Sequence, residues 1–298
     1  MNNPSVPFFQ HPKVVPYVFL APFLILFLVF RVWAIIQAVL LSFEQVQGVG
    51  SGQWVGLSNY WFLLSDVNFF TALTNTSYYT ASILILLIVI PLVLAALLYS
   101  GLVKKPVLFR TFLFLPVLTS LVVVGTVFRL LLAPEGLMNS GLAFLGIPAL
   151  RWLETANMAI PAMLLMAVWR WTGLNMIYFT SGLANISQDL YDAAAIDGAN
   201  GLQRFFYITV PLLRPIIIFV MTLTLIGGFQ LFVEPFILWT GGASPGQGGL
   251  SIVVFLYRTA FTSFNLGYAS TIGVILALII MALSLIQLRA FGFFKKEA

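Results

Sequence analysis

The sequence predicts an all-α polytopic membrane protein with six transmembrane helices, on three observations. Its 298 residues are 61% hydrophobic and only 8% charged, with a mean hydropathy of +1.04, whereas soluble domains are about a quarter charged. Six segments stay apolar for about twenty residues, the length that crosses the hydrocarbon core as a helix. Their apolar runs are continuous, as in Ser82–Ile90. The roughly ten-residue strands of a membrane barrel would alternate instead.

The first helix is expected over Val14–Leu41, after a stretch, Met1–Lys13, that lacks the charged start and small-residue cleavage site of a removable signal. The next three fall over Tyr78–Tyr99, Phe109–Leu132 and Met158–Thr180, and the last two over Ile208–Trp239 and Tyr268–Phe291. Orientation follows from the 14 Lys and Arg residues, because positive charge collects on the cytoplasmic side. With both termini inside, the inner side holds Lys13, Lys104, Lys105, Arg110, Arg204, Arg214, Arg289, Lys295 and Lys296. The outer side keeps Arg151 and Arg258, while Arg31, Arg129 and Arg170 fall within spans. Outer loops Glu44–Asn75, Leu132–Asn157 and Thr240–Gly249 read as lids or docking surfaces. The last, glycine-rich around Pro245, reads as flexible or tightly turned.

Much chemistry is excluded. With no cysteine and one histidine, His11, the chain has no disulfide framework and no thiolate or His-cluster metal site. It carries no Gly-x-x-x-x-Gly-Lys-Ser/Thr loop, so it cannot cradle a nucleotide itself. The formal Gly-x-Ser-x-Gly at Gly242–Gly246 lies in an outer loop with His11 on the opposite side, so the roles of a serine hydrolase cannot be filled. A net charge of +5 is no nucleic-acid footprint. Among the acidic residues, Glu44, Asp66, Glu135 and Glu154 fall outside, and Asp189, Asp192, Asp197 and Glu297 inside. Only Glu234 lies within a span. An ion-coupled secondary transporter relays charge through intramembrane acids, so it stands as an alternative resting on Glu234.

The inner loop 186–215 is the most informative stretch. Ser187 suits a helix N-cap, and Asp189 sits in the first turn, where the helix dipole favours negative charge. Leu190–Ile196 follows with good helix formers, and Gly198 suits a positive-φ helix end. A second turn begins near Leu202, and Pro211 and Pro215 mark entry to the next span. The expected product is a short helix, a glycine bend and a second short helix on the cytoplasmic face. Ala193, Ala194 and Ala195 give it a narrow side that fits a groove on another protein. An ordinary amphipathic interfacial loop stands beside that reading at equal weight.

Residues Tyr191–Ala199, reading Tyr-Asp-Ala-Ala-Ala-Ile-Asp-Gly-Ala, together with Ile208-Thr-Val-Pro211, resemble the EAA signature of the permeases of binding-protein-dependent ABC importers. The resemblance runs from the first helix through Phe109–Pro116 to Leu266–Ala269 and points to the sugar-permease branch, similar to maltose, glycerol-phosphate and oligosaccharide permeases. Two positions depart from the pattern: Asp192 stands where Glu is usual, and Gln188 where proline is common. The resemblance implies a single transmembrane permease domain, 1–298, in a bacterial or archaeal inner membrane. It implies that the loop couples to an ATPase through Tyr191, Asp192, Ala193, Ala194, Asp197 and Gly198. The partners implied are a second, similar permease subunit, two cytoplasmic ATPase subunits that use ATP and Mg, and an extracellular solute-binding protein. The chain itself would hold no cofactor, catalyse no reaction and bind no nucleic acid.

A solute path is suggested by Trp169-Arg170-Trp171-Thr172-Gly173-Leu174-Asn175 in the fourth helix. Arg170 lies some ten residues before Thr180, roughly 15 Å along the helix, which puts it at mid-bilayer. A charge there faces protein, water or ligand; snorkelling between belt tryptophans is the equal-weight alternative. The resemblance carries a substrate pocket onto Arg170, Trp171 and Leu174, and onto Thr224, Gly228 and Gln230 of the fifth helix. Gln230 and Glu234 share a helical face, so Glu234 is either the counter-ion of Arg170 or an acceptor for solute hydroxyls. Arg31 and Arg129 are expected to tie helices together or to snorkel.

Overall fold

The computed structural model describes residues 14–48, 50, 52–101 and 103–292. His11, Lys13, Lys295, Lys296 and Glu297 lie outside the described residues. The chain divides into two units, Met1–Ser65 with Arg258–Ile275, and Asp66–Tyr257 with Leu276–Ala298.

In the first unit, α1 (Val15–Phe27), a π-turn (Leu28–Val32) and α2 (Trp33–Leu41) form a single span with no buried residue. Proline in its first turn is harmless because those N–H groups have no intrahelical acceptor. The Ser42 hydroxyl closes α2 by donating to the Val39 carbonyl at 2.6 Å. The segment after it, read from the sequence as a lid or docking surface, carries regular structure. β1 (Glu44–Gln45) pairs antiparallel with β2 (Gln53–Trp54), and α3 covers Ser58–Ser65. Near the start of α15 (Leu266–Ala290), Gly267 lets the Glu44 carbonyl pass where a Cβ would stand 1.9 Å from its oxygen.

The second unit begins with α4 (Val67–Tyr99), whose N-cap Asp66 accepts from the Asn68 amide at 2.8 Å. The helix therefore starts well before the expected Tyr78, because a carboxylate cap precedes the apolar run. The third expected span is not one helix. It is α5 (Pro106–Leu118) and α6 (Leu121–Leu131), bent by 99° at Thr119–Ser120. Pro116 supplies no N–H to the last turn of α5, and Thr119 is extended, with its hydroxyl donating back to the Pro116 carbonyl at 2.5 Å. The loop after α6 carries α7 (Leu137–Phe144), and α8 follows over Ala156–Leu183.

Beyond α8, the next loop forms α9 (Gln188–Ile196), α10 (Gly201–Arg204), a π-turn (Phe205–Thr209) and α11 (Val210–Leu212). The fifth expected span is broken too: α12 (Arg214–Phe229) stops, and α13 (Val233–Leu238) restarts after three residues. The Thr240–Gly249 segment is tightly turned, with Gly241, Gly242 and Gly246 at positive φ. A helix the sequence did not announce, α14 (Ile252–Phe261), comes next.

The bundle centres on α8, which packs against α4 and α5, while α12 packs on α4 and α13 on α6. Tyr79, Ile83, Met163, Met166 and Leu238 anchor one apolar cluster, and Leu92, Met176, Phe179 and Val220 another. Among the described residues three helices are long and apolar enough to cross a membrane, Val15–Leu41, Val67–Tyr99 and Leu266–Ala290, and the bent pairs 106–131 and 201–229 raise the number to five if each is one span. The remaining expected crossing, the fourth in chain order, is α8, which has 28 residues, about 42 Å at 1.5 Å per residue. Its length suffices, but buried Arg170, Thr172 and Asn175 make it less apolar than the others.

Candidate functional site

The breaks in the fifth and third spans build the site. Non-helical backbone at membrane depth is tolerated only where protein or a cavity satisfies it. Where α12 ends, the Leu231 carbonyl accepts the buried Ser251 hydroxyl at 2.6 Å. The same serine accepts the Val254 amide at 3.2 Å, and Thr76 of α4 accepts the Ile252 amide at 3.0 Å. Beside this break lies a cavity of about 340 Å³.

Six of the residues expected to meet solute line that cavity: Trp171 and Leu174 from α8, Thr224 and Gly228 from α12, and Gln230 and Glu234 at the break. Glu234 is buried in the first turn of α13, where the helix dipole favours its charge. Tyr79, Asn175 and Tyr178 line it as well. Asn175 follows Trp171 by four residues on one helical face, a signal present in the sequence; nothing local announced Tyr79. Gly228 serves packing as much as binding, since a Cβ there would sit 2.7 Å from the Thr80 hydroxyl oxygen.

Arg170 does not line the cavity. Its guanidinium turns to the α5–α6 bend and donates to the carbonyls of Thr119 at 2.6 Å, Val117 at 3.3 Å and Pro116 at 3.4 Å. It fills the role of a C-terminal cap, a cation on carbonyls that lost their helical partners. Snorkelling and direct pocket lining both give way to this arrangement. It also lies 5.3 Å from the Trp171 ring, so it braces a side chain that does face the cavity. No ion pair within 4 Å joins it to Glu234, although the two charges attract each other across the site, and the Glu234 carboxylate lines the cavity. Each hydrogen bond from a charged donor contributes about 1.5–3 kcal/mol, so Arg170→Ala should lower the permease's stability by at least that much. Thermal unfolding of the purified protein checks it, and an unchanged Tm would remove the capping role.

Arg129 and the turn around Ser244 have structural partners. Arg129 ties α6 to the turn after α13 by donating to the Thr240 hydroxyl at 2.8 Å, and Arg31 is exposed. Ser244, the centre of the formal Gly-x-Ser-x-Gly, is a turn residue whose hydroxyl accepts the Gly249 amide at 2.8 Å.

In the loop 186–215, the helix, glycine bend and second helix form as expected. Ser187 caps α9 by accepting the Asp189 amide at 3.3 Å, and Gly198 ends it at φ +82°. The two departures from the signature meet each other: the Gln188 amide donates to the Asp192 carboxylate at 3.2 Å. Asn200 and Gln203 form a capping box on α10 that the sequence reading passed over. Tyr191 hydrogen-bonds Thr209 at 2.9 Å and so holds the two halves of the loop together. Asp192, Ala193 and Asp197 are exposed, and Ala194 is half-buried. Around them Ile196, Leu202, Phe206 and Tyr207 expose large apolar surfaces, Ile196 to 88%. Such a patch marks an interaction site.

Residues 88–296 match the family described as binding-protein-dependent transport system inner membrane component. The chain is 44% identical over 291 residues to the arabinooligosaccharides transport system permease protein AraP of Halalkalibacterium halodurans, across 97% of this chain and 91% of that one. It is 32% identical to the lactose transport system permease protein LacF of Rhizobium radiobacter, across 92% and 93%. Among solved structures it is similar to a chain of a bacterial ABC transporter that imports the acidic polysaccharide alginate. That match has a TM-score of 0.83 at 22% identity and covers 95% of this chain and 96% of that one.

Proposed function

The chain belongs to the inner membrane components of binding-protein-dependent transport systems, and on that premise we propose that its cavity passes an oligosaccharide. It is the multi-pass inner membrane permease of an ABC importer and works with another permease, an ATPase and a solute-binding protein. It is not itself catalytic, because hydrolysis belongs to the ATPase. We assign ATP and Mg to two cytoplasmic ATPase subunits, both termini of this chain to the cytoplasm, and the other permease position to a different but similar chain. Residues 1–298 act as one permease domain, with 186–215 as its coupling loop.

The observation that carries the oligosaccharide reading is the cavity lining: an aromatic face at Trp171 beside polar Thr224, Gln230 and Glu234, about 340 Å³ in all. Sugars present CH faces that stack on rings and hydroxyls that need paired donors and acceptors, and apolar walls with a few placed polar groups supply both. Relatives named for arabinooligosaccharides and lactose support the same class. The ion-coupled alternative on Glu234 loses its ground, because the family draws its energy from a partner ATPase. Glu234 remains as a hydroxyl acceptor.

The test is uptake into vesicles holding the assembled complex, presented in turn with arabinooligosaccharide, lactose and glycerol 3-phosphate by their binding proteins. Uptake should need ATP and should favour an oligosaccharide; preference for glycerol phosphate would overturn the assignment. A neutral hydrogen bond contributes about 0.5–1.5 kcal/mol, so Gln230→Ala should lower solute-stimulated ATP hydrolysis roughly two- to tenfold at unchanged complex yield. Trp171→Ala should lower it further, since it removes the stacking face. Lost assembly with normal activity per complex would assign both residues to packing instead.

A further inference from the structure

The first unit holds an outer helix whose exposed side is the wrong composition for water. Asn59 donates from its side-chain amide to the carbonyls of Ser42 and Glu44, both at 3.0 Å, and the Tyr60 hydroxyl meets that of Ser42 at 2.7 Å. Ser42 is the residue directly after α2, so these bonds fasten α3 within one turn of the end of the first span. Phe43 stacks on Trp54 and meets Tyr60 at a tilt, with ring centroids 5.5 Å from each. α3 therefore sits at the depth where the span leaves the hydrocarbon.

Its inward face is Asn59, Tyr60 and the buried Leu63. Leu57, just before the helix, and Trp61 and Leu64 on its other face recur at helical spacing, and each is at least 54% exposed. No charged residue occurs between Glu44 and Asp66. A helix facing water puts its polar residues outward; here Asn59 and Tyr60 point in, while Trp61, Phe62 and Leu64 are exposed beside the small hydroxyls of Ser58 and Ser65. Tryptophan at that depth is characteristic of the headgroup boundary.

We propose that α3 is an interfacial anchor, lying in the outer-leaflet headgroup region with Trp61 and Leu64 in lipid, and that it fixes the depth of the first span. The lipid interface is favoured over a docked protein by the continuity of α3 with a span and by the absence of any charge on the patch to orient a partner. The proposal rests on the outer placement of this segment in the importer reading.

The native chain has no cysteine, so Trp61→Cys and Leu64→Cys each take one nitroxide label. Ile196→Cys, on the loop 186–215, is the water reference and is read with the ATPase absent, since that patch is assigned to it. In nanodiscs of phosphatidylcholine and phosphatidylglycerol, collision with oxygen should exceed collision with a water-soluble nickel chelate at 61 and 64, and the order should reverse at 196. Adding the solute-binding protein should leave both labels unchanged. Higher chelate access at 61 and 64, or loss of access to both reagents when the binding protein or second permease is present, would overturn the proposal. If Trp61→Cys fails to insert, Leu64→Cys carries the measurement. Failure of transport assays leaves this readout intact, so the two readings fail separately.

Discussion

Gly173→Ala should leave little folded permease in the membrane. At this position α8 and α5 touch backbone to backbone: an added Cβ would stand 1.8 Å from the Leu113 carbonyl oxygen and 2.8 Å from the Phe114 nitrogen. No side chain can rotate away, because both obstacles are main chain, so the helices themselves have to separate. Overpacking a core costs about 1–3 kcal/mol and occasionally more, and a main-chain clash belongs at the upper end. The shift also reaches the site. Arg170 lies three residues before Gly173, and its 2.6 Å bond to the Thr119 carbonyl depends on the same helix separation. Gly182→Ala is the milder comparison. There the Cβ meets Leu213 and Ile216 side-chain atoms at 2.6 and 2.9 Å, which can adjust. Membrane content and Tm of the two variants measure the difference; equal values would mean that α5 and α8 do not approach as closely as described.

Legibility of the fold followed the physics of each element. Composition and apolar run length announced the helical membrane architecture because both survive any arrangement of the spans. The loop 186–215 was legible in detail because it is built from local signals, a serine cap, an acidic first turn and a glycine at positive φ. The two breaks were not. Pro116 was visible, yet a proline near the end of an apolar run fits a mild kink as readily as a 99° bend. What allows the bend is a guanidinium from residue 170, more than fifty positions away, and no local window contains that pair.

The site shows the same division. Trp171, Leu174 and Gln230 were placed by the resemblance to the sugar-permease branch, and Glu234 by sharing a helical face with Gln230; all four line one cavity. The direction taken by Arg170 could not be placed, because a mid-membrane charge must find partners but the sequence does not say which. Ser251, which serves the break after α12, escaped notice because its acceptor is a main-chain carbonyl with no side-chain signature. The same holds for Thr76 under the Ile252 amide.

Ala193→Trp should insert normally into the membrane, fail to hold the ATPase and abolish transport. The loop presents Asp192, Ala193 and Asp197 to solvent beside exposed Ile196 and Leu202, so a partner groove that accepts this face has room for a methyl group and not for an indole. Ala194 is half-buried, so Ala194→Trp combines the same obstruction with a cost inside the loop and is the less clean variant. Gly198→Val tests the bend separately. Nothing lies within 4 Å of a Cβ there, but φ is +82°, a conformation that costs a residue other than glycine of order 1–3 kcal/mol and a β-branched one most. The expected result is an ordered span with a misdirected loop: weaker ATPase binding than in the native chain, stronger than in Ala193→Trp. Docking of the solute-binding protein should survive both changes, since the loop is a membrane thickness away from the outer face. Co-purification of the ATPase, alongside membrane content of the permease, reads the outcome. Full ATPase retention with normal transport in both variants would mean that the exposed apolar face of 186–215 serves some contact other than coupling.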